Sequence, residues 1–511
     1  MTDQIELELK LQFIDPNLWE LVFALPIIQQ WGDQQSYTRE RLEAFYYDTP
    51  SQQLQKAHLA YRIRREGGEL LATVKEGGSS SGGLHKRAEW TVVVAEHTPD
   101  VEPFADMPIG PLLNQLVGDE ELTALYTTCF DRQRMLIYMP DGSCVELAAD
   151  QGEICAGEQK APILELELEL KAGHPSAVLQ LGAAIAKELP LLPERRSKYF
   201  RALQLVGLAE ETGAKLVSPI VEGEKSGAGL AKLLIFNIQA VLLAQENFLL
   251  KPEDQETIHQ LRIQLRRLRS LISFGEPVLS NDTCSTYADY IQQWGNNLGP
   301  VREVDVVLEA WQEMLAGGTV KLDVSPVLSD KLASKRTELV SRVQQDLANG
   351  VTTSSLLELW ARLAEYQQQS MLEQEVTLED FARERLAEWA QKLIGAGKKL
   401  DTGDAQAMHK VRIRGKKLRY VLESLLPLWP EKGRRMIERF KELQDVLGVL
   451  HDAYVSQGVM HSILRTQSNR LMYRDTGLLT GWQAHLGLNM QRKLNKQWRR
   501  VRKTAETLAK R

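Results

Sequence analysis

Two hydrophobic periodicities divide the chain. Through the first 205 residues apolar and polar positions mostly alternate, as in Ile5-Glu6-Leu7-Glu8-Leu9-Lys10-Leu11 and Tyr61-Arg62-Ile63-Arg64. A period of two puts one class of side chain on each face of a strand. Leu70–Lys75, Glu89–Val94, Met135–Tyr138, Cys144–Ala148 and Ile163–Leu170 read as further strands. Gly67-Gly68 and Asp141-Gly142 are hairpin turn signals, and Gly77–Gly83 reads as a flexible connection. Helical patterns interrupt near Asn17–Leu25 and Ser176–Glu188. Many strands joined by tight turns predict an antiparallel barrel or sandwich.

The pattern changes after a stretch rich in Gly, Glu and Ser, within which residues 206–225 read as a linker. From there a 3.6-residue period runs to the end, punctuated by Pro277, Pro300, Pro326, Pro427 and Pro430. This half repeats itself. His259-Gln-Leu-Arg262-Ile-Gln-Leu-Arg266-Arg267-Leu-Arg269 matches His409-Lys-Val-Arg412-Ile-Arg-Gly-Lys416-Lys417-Leu-Arg419, an offset of 150. Leu298-Gly299-x-x-Arg302-Glu303 matches Leu447-Gly448-x-x-His451-Asp452 at an offset of 149. The expected organisation is α+β and multidomain: a strand-rich domain over 1–205, the linker, and an all-α domain over 226–505. The two helical repeats of that domain are expected near 226–375 and 376–505.

A length of 511 residues agrees, being too long for one ordinary core. The chain is 43% hydrophobic and 25% charged, as soluble globular proteins are. No uninterrupted apolar run of about 18 residues occurs, so no membrane partner is expected. The acidic N-terminus does not read as a signal peptide. Cys129, Cys144, Cys155 and Cys284 lack C-x-x-C or zinc spacing and read as reduced thiols, which places the protein in the cytoplasm. Charge is unevenly spread. Residues 1–225 hold 21 Lys+Arg and 35 Asp+Glu, a net of −14, whereas 226–511 hold 41 and 33, a net of +8. The natural partner of the basic half is a polyanion, and no specific nucleic acid is expected.

Strand alternation gathers the chemistry of the first half. Glu6, Glu8 and Lys10 share a face, as do Arg62 and Arg64, Arg87 and Glu89, Arg132 and Arg134, Glu146 and Asp150, and Glu165, Glu167 and Glu169. The opposite face of each strand is mainly apolar. Any one strand could be an amphipathic edge with a solvated charged face. The whole set, with each sign clustered on its own strands, instead fits a barrel with a charged interior. Two carboxylates about 4 Å apart repel by roughly 4 kcal/mol at an effective dielectric of 20. Bound Mg²⁺ or Mn²⁺ would relieve that repulsion, and facing cations would hold a polyanion that also ligates the metal.

These residues resemble the signatures of the CYTH, or triphosphate tunnel metalloenzyme, family. The resemblance opens on Glu6-Leu-Glu8-Leu-Lys10 and continues through Tyr61-Arg62-Ile-Arg64, Thr73-Val-Lys75 and His85-Lys86-Arg87-x-Glu89. It extends to Asp150-Gln-Gly-Glu153, Glu165-Leu-Glu167-Leu-Glu169 and Ser197-Lys198. It implies an eight-stranded antiparallel tunnel that cleaves a linear triphosphate with a divalent metal, inorganic triphosphate being the expected substrate. It implies Glu6, Glu8, Asp150, Glu165, Glu167 and Glu169 as metal-side carboxylates. Lys10, Arg62, Arg64, Lys75, Arg87, Arg132 and Lys198 become the substrate clamps, with Arg134 open as the alternative to Arg132. Glu6, Glu8, Lys10 and Lys75 become the catalytic set.

In the helical half, about 100° per residue puts His259, Arg262, Arg266 and Arg269 on one arc of roughly 80°. His409, Arg412, Lys416 and Arg419 form the same arc in the second repeat. Duplication of the arc argues against a merely solvated face, and no zinc spacing is present. The repeat resembles the CHAD domain, which implies that these eight residues bind inorganic polyphosphate. Other readings are a non-catalytic polyphosphate-binding or targeting protein, or a tunnel enzyme acting on thiamine triphosphate or a nucleotide, adenylate cyclase included.

Overall fold

The computed structural model describes residues 4–209, 218–279, 281–317, 324, 326–370, 376–398, 400, 404–466 and 470–510. Residues 281–285 are described by their backbone alone, which leaves out the Cys284 thiol, and linker positions 210–217 and the expected repeat boundary at 371–375 lie outside the described residues. Two compact units form: Met1–Lys215 with Leu347–Arg362, and Leu216–Asp346 with Leu363–Arg511. Residues 347–362 thus cluster with the strand-rich unit although they lie within the helical half of the sequence.

The strands of the first unit are β1 Gln4–Phe13, β2 Thr38–Asp48, β3 Leu59–Glu66, β4 Glu69–Glu76, β5 Ser79–Ser81, β6 Leu84–Val94, β7 Thr123–Tyr138, β8 Cys144–Ala156, β9 Gln159–Ala172 and β10 Leu191–Pro193. They hydrogen-bond in the order β10-β1-β9-β8-β7-β2-β3-β4-β6-β5, and β1 also pairs with β6. That last pairing closes eight antiparallel strands into a barrel, with β5 and β10 as short additions. The helices are α1 Pro26–Trp31, α2 Gln53–Lys56, α3 Gly110–Val117, α4 Ser176–Glu188 and α5 Lys198–Leu205. Asn17–Leu25, expected as α-helix, forms a 3-10 helix over Pro16–Ala24. The hairpin glycines Gly67 and Gly68 take φ of +57° and +89°, which a side chain would resist.

The apolar strand faces point outward. Leu9, Leu11, Leu147, Leu166 and Leu168 are fully buried on that face, where α4 packs on β1, β8 and β9. Gly182 allows the approach, since a Cβ there would lie 2.4 Å from the Leu9 side chain. On another side, Tyr61, Ile63 and Val74 pack with Phe104 and Leu113. Inside the barrel, Tyr46, Tyr126, Phe130, Ile154 and Ile163 form an apolar cluster with Ala202 of α5.

The second unit is helical throughout its described residues. Its helices run α6 Ser226–Leu250, α7 Gln255–Gly275, α8 Asn281–Asn297, α9 Gly299–Ala316, α10 Val327–Ala348, α12 Leu378–Ala396, α13 Ala405–Ser424, α14 Pro430–Thr466 and α15 Arg470–Ala509, while α11 Val351–Ser370 falls in the first unit as far as Arg362. The duplication is visible in the backbone. Lys225 and Thr377, just before α6 and α12, pair in an antiparallel bridge. α7 and α13 pack together and carry the two basic arcs. Pro300 interrupts the first copy as α8 and α9, where the second copy has the continuous α14. α6 is long and apolar enough to cross a membrane by length and composition alone, and 67% of its most apolar window is buried inside the protein.

Candidate active site

The barrel encloses a cavity of about 1380 Å³. Strand register explains its lining. Glu8 faces Glu169 and Lys10 faces Glu167 across β1 and β9, while Glu6 faces Arg87 across β1 and β6. Lys75 faces Glu89 across β4 and β6. Glu6, Glu8, Lys10, Arg62, Arg64, Lys75, Arg87, Arg132, Glu167, Glu169 and Lys198 all reach the cavity. Arg134 reaches it too, so both candidates on β7 are lining residues. Asp150 and Glu165 are fully buried behind the lining. Glu153, part of the sequence motif, is exposed and pairs with Lys160 at 2.7 Å, off the tunnel.

One end of the cavity is an ion-pair lattice. Lys198 enters on the first turn of α5, which Ser197 caps by accepting from the Phe200 amide at 3.1 Å. The Lys198 ammonium contacts Asp150 at 2.7 Å, Glu167 at 3.0 Å and also Glu165. Arg132 donates to both Asp150 oxygens at 2.7 Å, and Arg201 donates to Glu165 at 2.9 Å. Lys10 bridges Glu8, at 3.1 Å, and Glu167. The Phe130 ring lies beneath two of these cations, 5.0 Å from the Lys198 ammonium and 5.5 Å from the Arg132 guanidinium. Burial works against the charge of Asp150 and Glu167. Arg132 and Lys198 nevertheless hold Asp150 below its ordinary pKa, and Lys10, Lys198 and Arg132 do the same for Glu167.

Elsewhere the lining carries charge surplus of each sign. Arg64 is brought down to about 10 by burial and by the neighbouring Arg62 and Arg132. Arg64 therefore lacks sufficient counter-charge and favours an anion, whereas Arg62 and Arg132 are held charged by the anionic groups beside them. Glu169 shows the converse. Burial raises its pKa, and Glu6 and Glu146 raise it further against the pull of Lys171. A hard cation would relieve that carboxylate excess. Glu6 itself is held low, against its burial, by Lys75 and Arg87 at 3.0 and 2.8 Å.

Carboxylate donors suited to a hard cation occur in two places, and among the described residues their oxygens converge within 4.8 Å only in the second. Glu6, Glu8, Glu167 and Glu169 present carboxylate oxygens to the cavity, the donors that Mg²⁺ and Mn²⁺ take. Behind them, Asp150, Glu165 and Glu167 each offer an oxygen within 4.8 Å of the others. In this state the Lys198 ammonium satisfies all three, so a metal there would compete with Lys198.

Several lining groups escaped the sequence reading. Tyr46 lies on β2, a strand whose Ala44-Phe45-Tyr46-Tyr47 run masks alternation. Its ring stacks on Tyr126 with centroids 4.5 Å apart. His85 was part of the motif without a role. Burial and Lys10 push it down to about 4, so it is neutral and donates to the Glu194 carbonyl at 3.1 Å. Glu66 ends the Arg62/Arg64 row, and two residues' alternation beyond Arg64 was the available signal.

The helical arcs meet only in part. Arg262, Arg266, Arg412 and Lys416 interact electrostatically across the two repeats. None of the four has an ion-pair partner among the described residues, and Arg262 Nη1 and Arg412 Nε are buried without a hydrogen bond. Burial, then its arginine neighbours, lowers Arg262 to about 9 and Lys416 to about 7. Arg419 is instead engaged by Glu423 at 2.6 Å and Gln444 at 2.7 Å, and Arg269 by Gln292. The histidines are lowered by burial and by Arg302 at His259 or Arg412 at His409. They act as neutral polar groups, and the His409 ring stacks on His451 at 6.3 Å.

Comparison with known proteins follows the same division. Residues 4–202 match the CYTH domain and residues 236–461 the CHAD domain. An inorganic triphosphatase of Haemophilus influenzae is 33% identical over 162 residues, which are 30% of this chain and 41% of that relative. The chain therefore spans about two fifths of that relative's length. An adenylyl cyclase candidate from Hippeastrum, described as having a dominant triphosphatase activity, aligns over 40% of this chain and 98% of its own, at 18% identity and a TM-score of 0.31. The CHAD domain of Ricinus communis aligns over 57% of this chain and 95% of its own, at 19% identity and a TM-score of 0.43.

Proposed function

Because the chain carries a CYTH domain over residues 4–202 and a CHAD domain over 236–461, we propose that it hydrolyses inorganic triphosphate to pyrophosphate and phosphate in the tunnel and holds inorganic polyphosphate on its helical unit. One observation carries the first part: a single cavity lined by twelve Lys/Arg and eight Glu, in which Arg64 sits beside Arg62 and Arg132 with its pKa lowered, and Glu169 sits beside Glu6 and Glu146 with its pKa raised. Such a cavity binds a polyanion and a metal together.

When bound at Glu6, Glu8, Glu167 and Glu169, Mg²⁺ or Mn²⁺ supplies Lewis acidity toward the phosphates and an activated water. The chain's own residues do the rest. Arg62, Arg64 and Arg87 clamp the phosphate oxygens, with guanidinium forks suited to paired oxygens. Lys75 and Lys10 stabilise charge that accumulates on the leaving pyrophosphate. Phe130 and Tyr46 keep one wall apolar, which strengthens each contact.

The polyphosphate reading rests on the unpaired Arg262, Arg266, Arg412 and Lys416. Phosphate release from tripolyphosphate, ATP, thiamine triphosphate and long-chain polyphosphate, each with Mg²⁺ and with Mn²⁺, tests the assignment. Release from tripolyphosphate is expected to dominate. Dominance of ATP or thiamine triphosphate would move the tunnel to organic substrates, and no release from any of them would make it a binding protein.

A further inference from the structure

Glu66 is the last residue of β3 and pairs with Glu69 across the Gly67-Gly68 turn. Alternation puts it on the cavity side with Arg62 and Arg64, and its side chain is 14% exposed. One carboxylate oxygen accepts from Arg134 at 2.6 Å and the other from Arg64. Arg134 is further occupied by Glu40 at 3.4 Å. Arg62 differs, since its nearest carboxylate is Glu89 at 3.9 Å. Along this row, then, Arg62 is available to an anion, Arg64 is shared, and the next position already holds a negative charge.

Resting on the triphosphatase reading, we propose that Glu66 is the chain-length gate of the tunnel, standing where a further phosphate would lie and so favouring triphosphate over longer linear polyphosphates. Successive inward positions on a strand are about 6.7 Å apart. A chain extended beyond Arg64 by that distance meets the carboxylate and finds both guanidiniums taken. Rejection by a like charge is a common way to make a site selective, because it penalises the wrong ligand without weakening the right one.

The experiment compares wild type with Glu66→Gln, which keeps the shape and removes the charge. Phosphate release with Mg²⁺ gives kcat/KM for tripolyphosphate and for tetrapolyphosphate. Calorimetric binding of both, with Ca²⁺ in place of Mg²⁺ and in an Arg262→Glu/Arg412→Glu background, gives a second readout free of the helical surface. The tetra-to-tri ratio is expected to rise roughly tenfold or more in both readouts. An unchanged ratio in a folded variant overturns the gate. Should Glu66→Gln not fold, Glu66→Gln/Arg134→Gln restores charge balance at the mouth and is read by the same ratio. A ratio that shifts in binding while wild type releases no phosphate would retain the gate and reject the hydrolase.

Discussion

Replacing Lys198 by Met keeps the length of the side chain and removes the ammonium that three carboxylates share. At an effective dielectric of 20, a unit pair about 3 Å apart attracts by roughly 5 kcal/mol, and three such contacts are lost. Much of that gross attraction offsets the desolvation of the ammonium, so the net loss is smaller. Removing one partner of a buried pair typically costs about 3–5 kcal/mol. Lys198 is 9% exposed, so solvent screening reduces this little. In a domain of this size the loss should lower Tm by roughly 10 °C. The deficit should depend on pH. Asp150 and Glu167 have depressed pKa values in the native protein, so their contribution is present above about pH 4 and is lost as pH falls through those values. Without Lys198 they titrate nearer or above the ordinary range, so the gap between variant and wild type should be full at neutral pH and narrow on acidification. Mn²⁺ should also narrow it, since the three oxygens lie within 4.8 Å of one another. Denaturant unfolding followed by circular dichroism, across pH and with or without Mn²⁺, is the assay. A loss under about 1 kcal/mol, or a gap constant with pH, would refute the lattice as drawn.

Glu6→Gln or Glu8→Gln should abolish phosphate release with the fold intact, each removing a hard anionic donor from the cavity; near wild-type release in both would sink the metal assignment. Arg64→Ala should lower kcat/KM for tripolyphosphate by about 2 kcal/mol and Arg64→Lys should restore only part of it, so unchanged kinetics in both would place Arg64 outside the binding path. Long-chain polyphosphate should bind the full-length protein in chelator, and Arg262→Glu/Arg412→Glu should weaken that binding and flatten its steep salt dependence. The same binding should weaken as pH rises through about 7, where Lys416 loses its proton, and a flat profile would exclude Lys416 from the surface.

Much of this site was legible because a strand's side-chain period is two. From Glu6-Leu-Glu8-Leu-Lys10 alone the inward face follows, and β1 keeps it. Alternation carries no information about depth along the tunnel, however. Glu165, Glu167 and Glu169 share a face, yet Glu165 is sealed under Arg201 and Lys198 while Glu169 reaches the cavity. That difference depends on the stagger of β9 against β1 and on where α5 inserts. Glu66 was missed for a related reason: its importance lies in two guanidiniums, one of them on β7, 68 residues away in sequence. In the helical half, helix periodicity puts Arg269 and Arg419 on the same arcs as the other basic residues. Their partners, Gln292, Gln444 and Glu423, are a matter of packing that periodicity does not encode.

Net charge by half pointed to a polyanion for the basic half, yet the acidic half encloses the larger set of inward cations. The two differ in how those cations are kept. In the tunnel nearly every one is matched to a carboxylate, so admitting a triphosphate exchanges existing ion pairs for new ones. The freed carboxylates then need a cation of their own, which couples phosphate binding to metal binding. On the helical unit, Arg262, Arg266, Arg412 and Lys416 make no ion pair within 4.0 Å among the described residues; Glu303 and Asp452 attract Arg262, Arg412 and Lys416 without making up for burial and mutual repulsion, which an anion relieves directly. Binding there should need no metal and little rearrangement. A polyphosphate affinity of the full-length protein that is the same in chelator and in Mg²⁺, beside triphosphate turnover that vanishes in chelator, is the joint outcome this contrast requires.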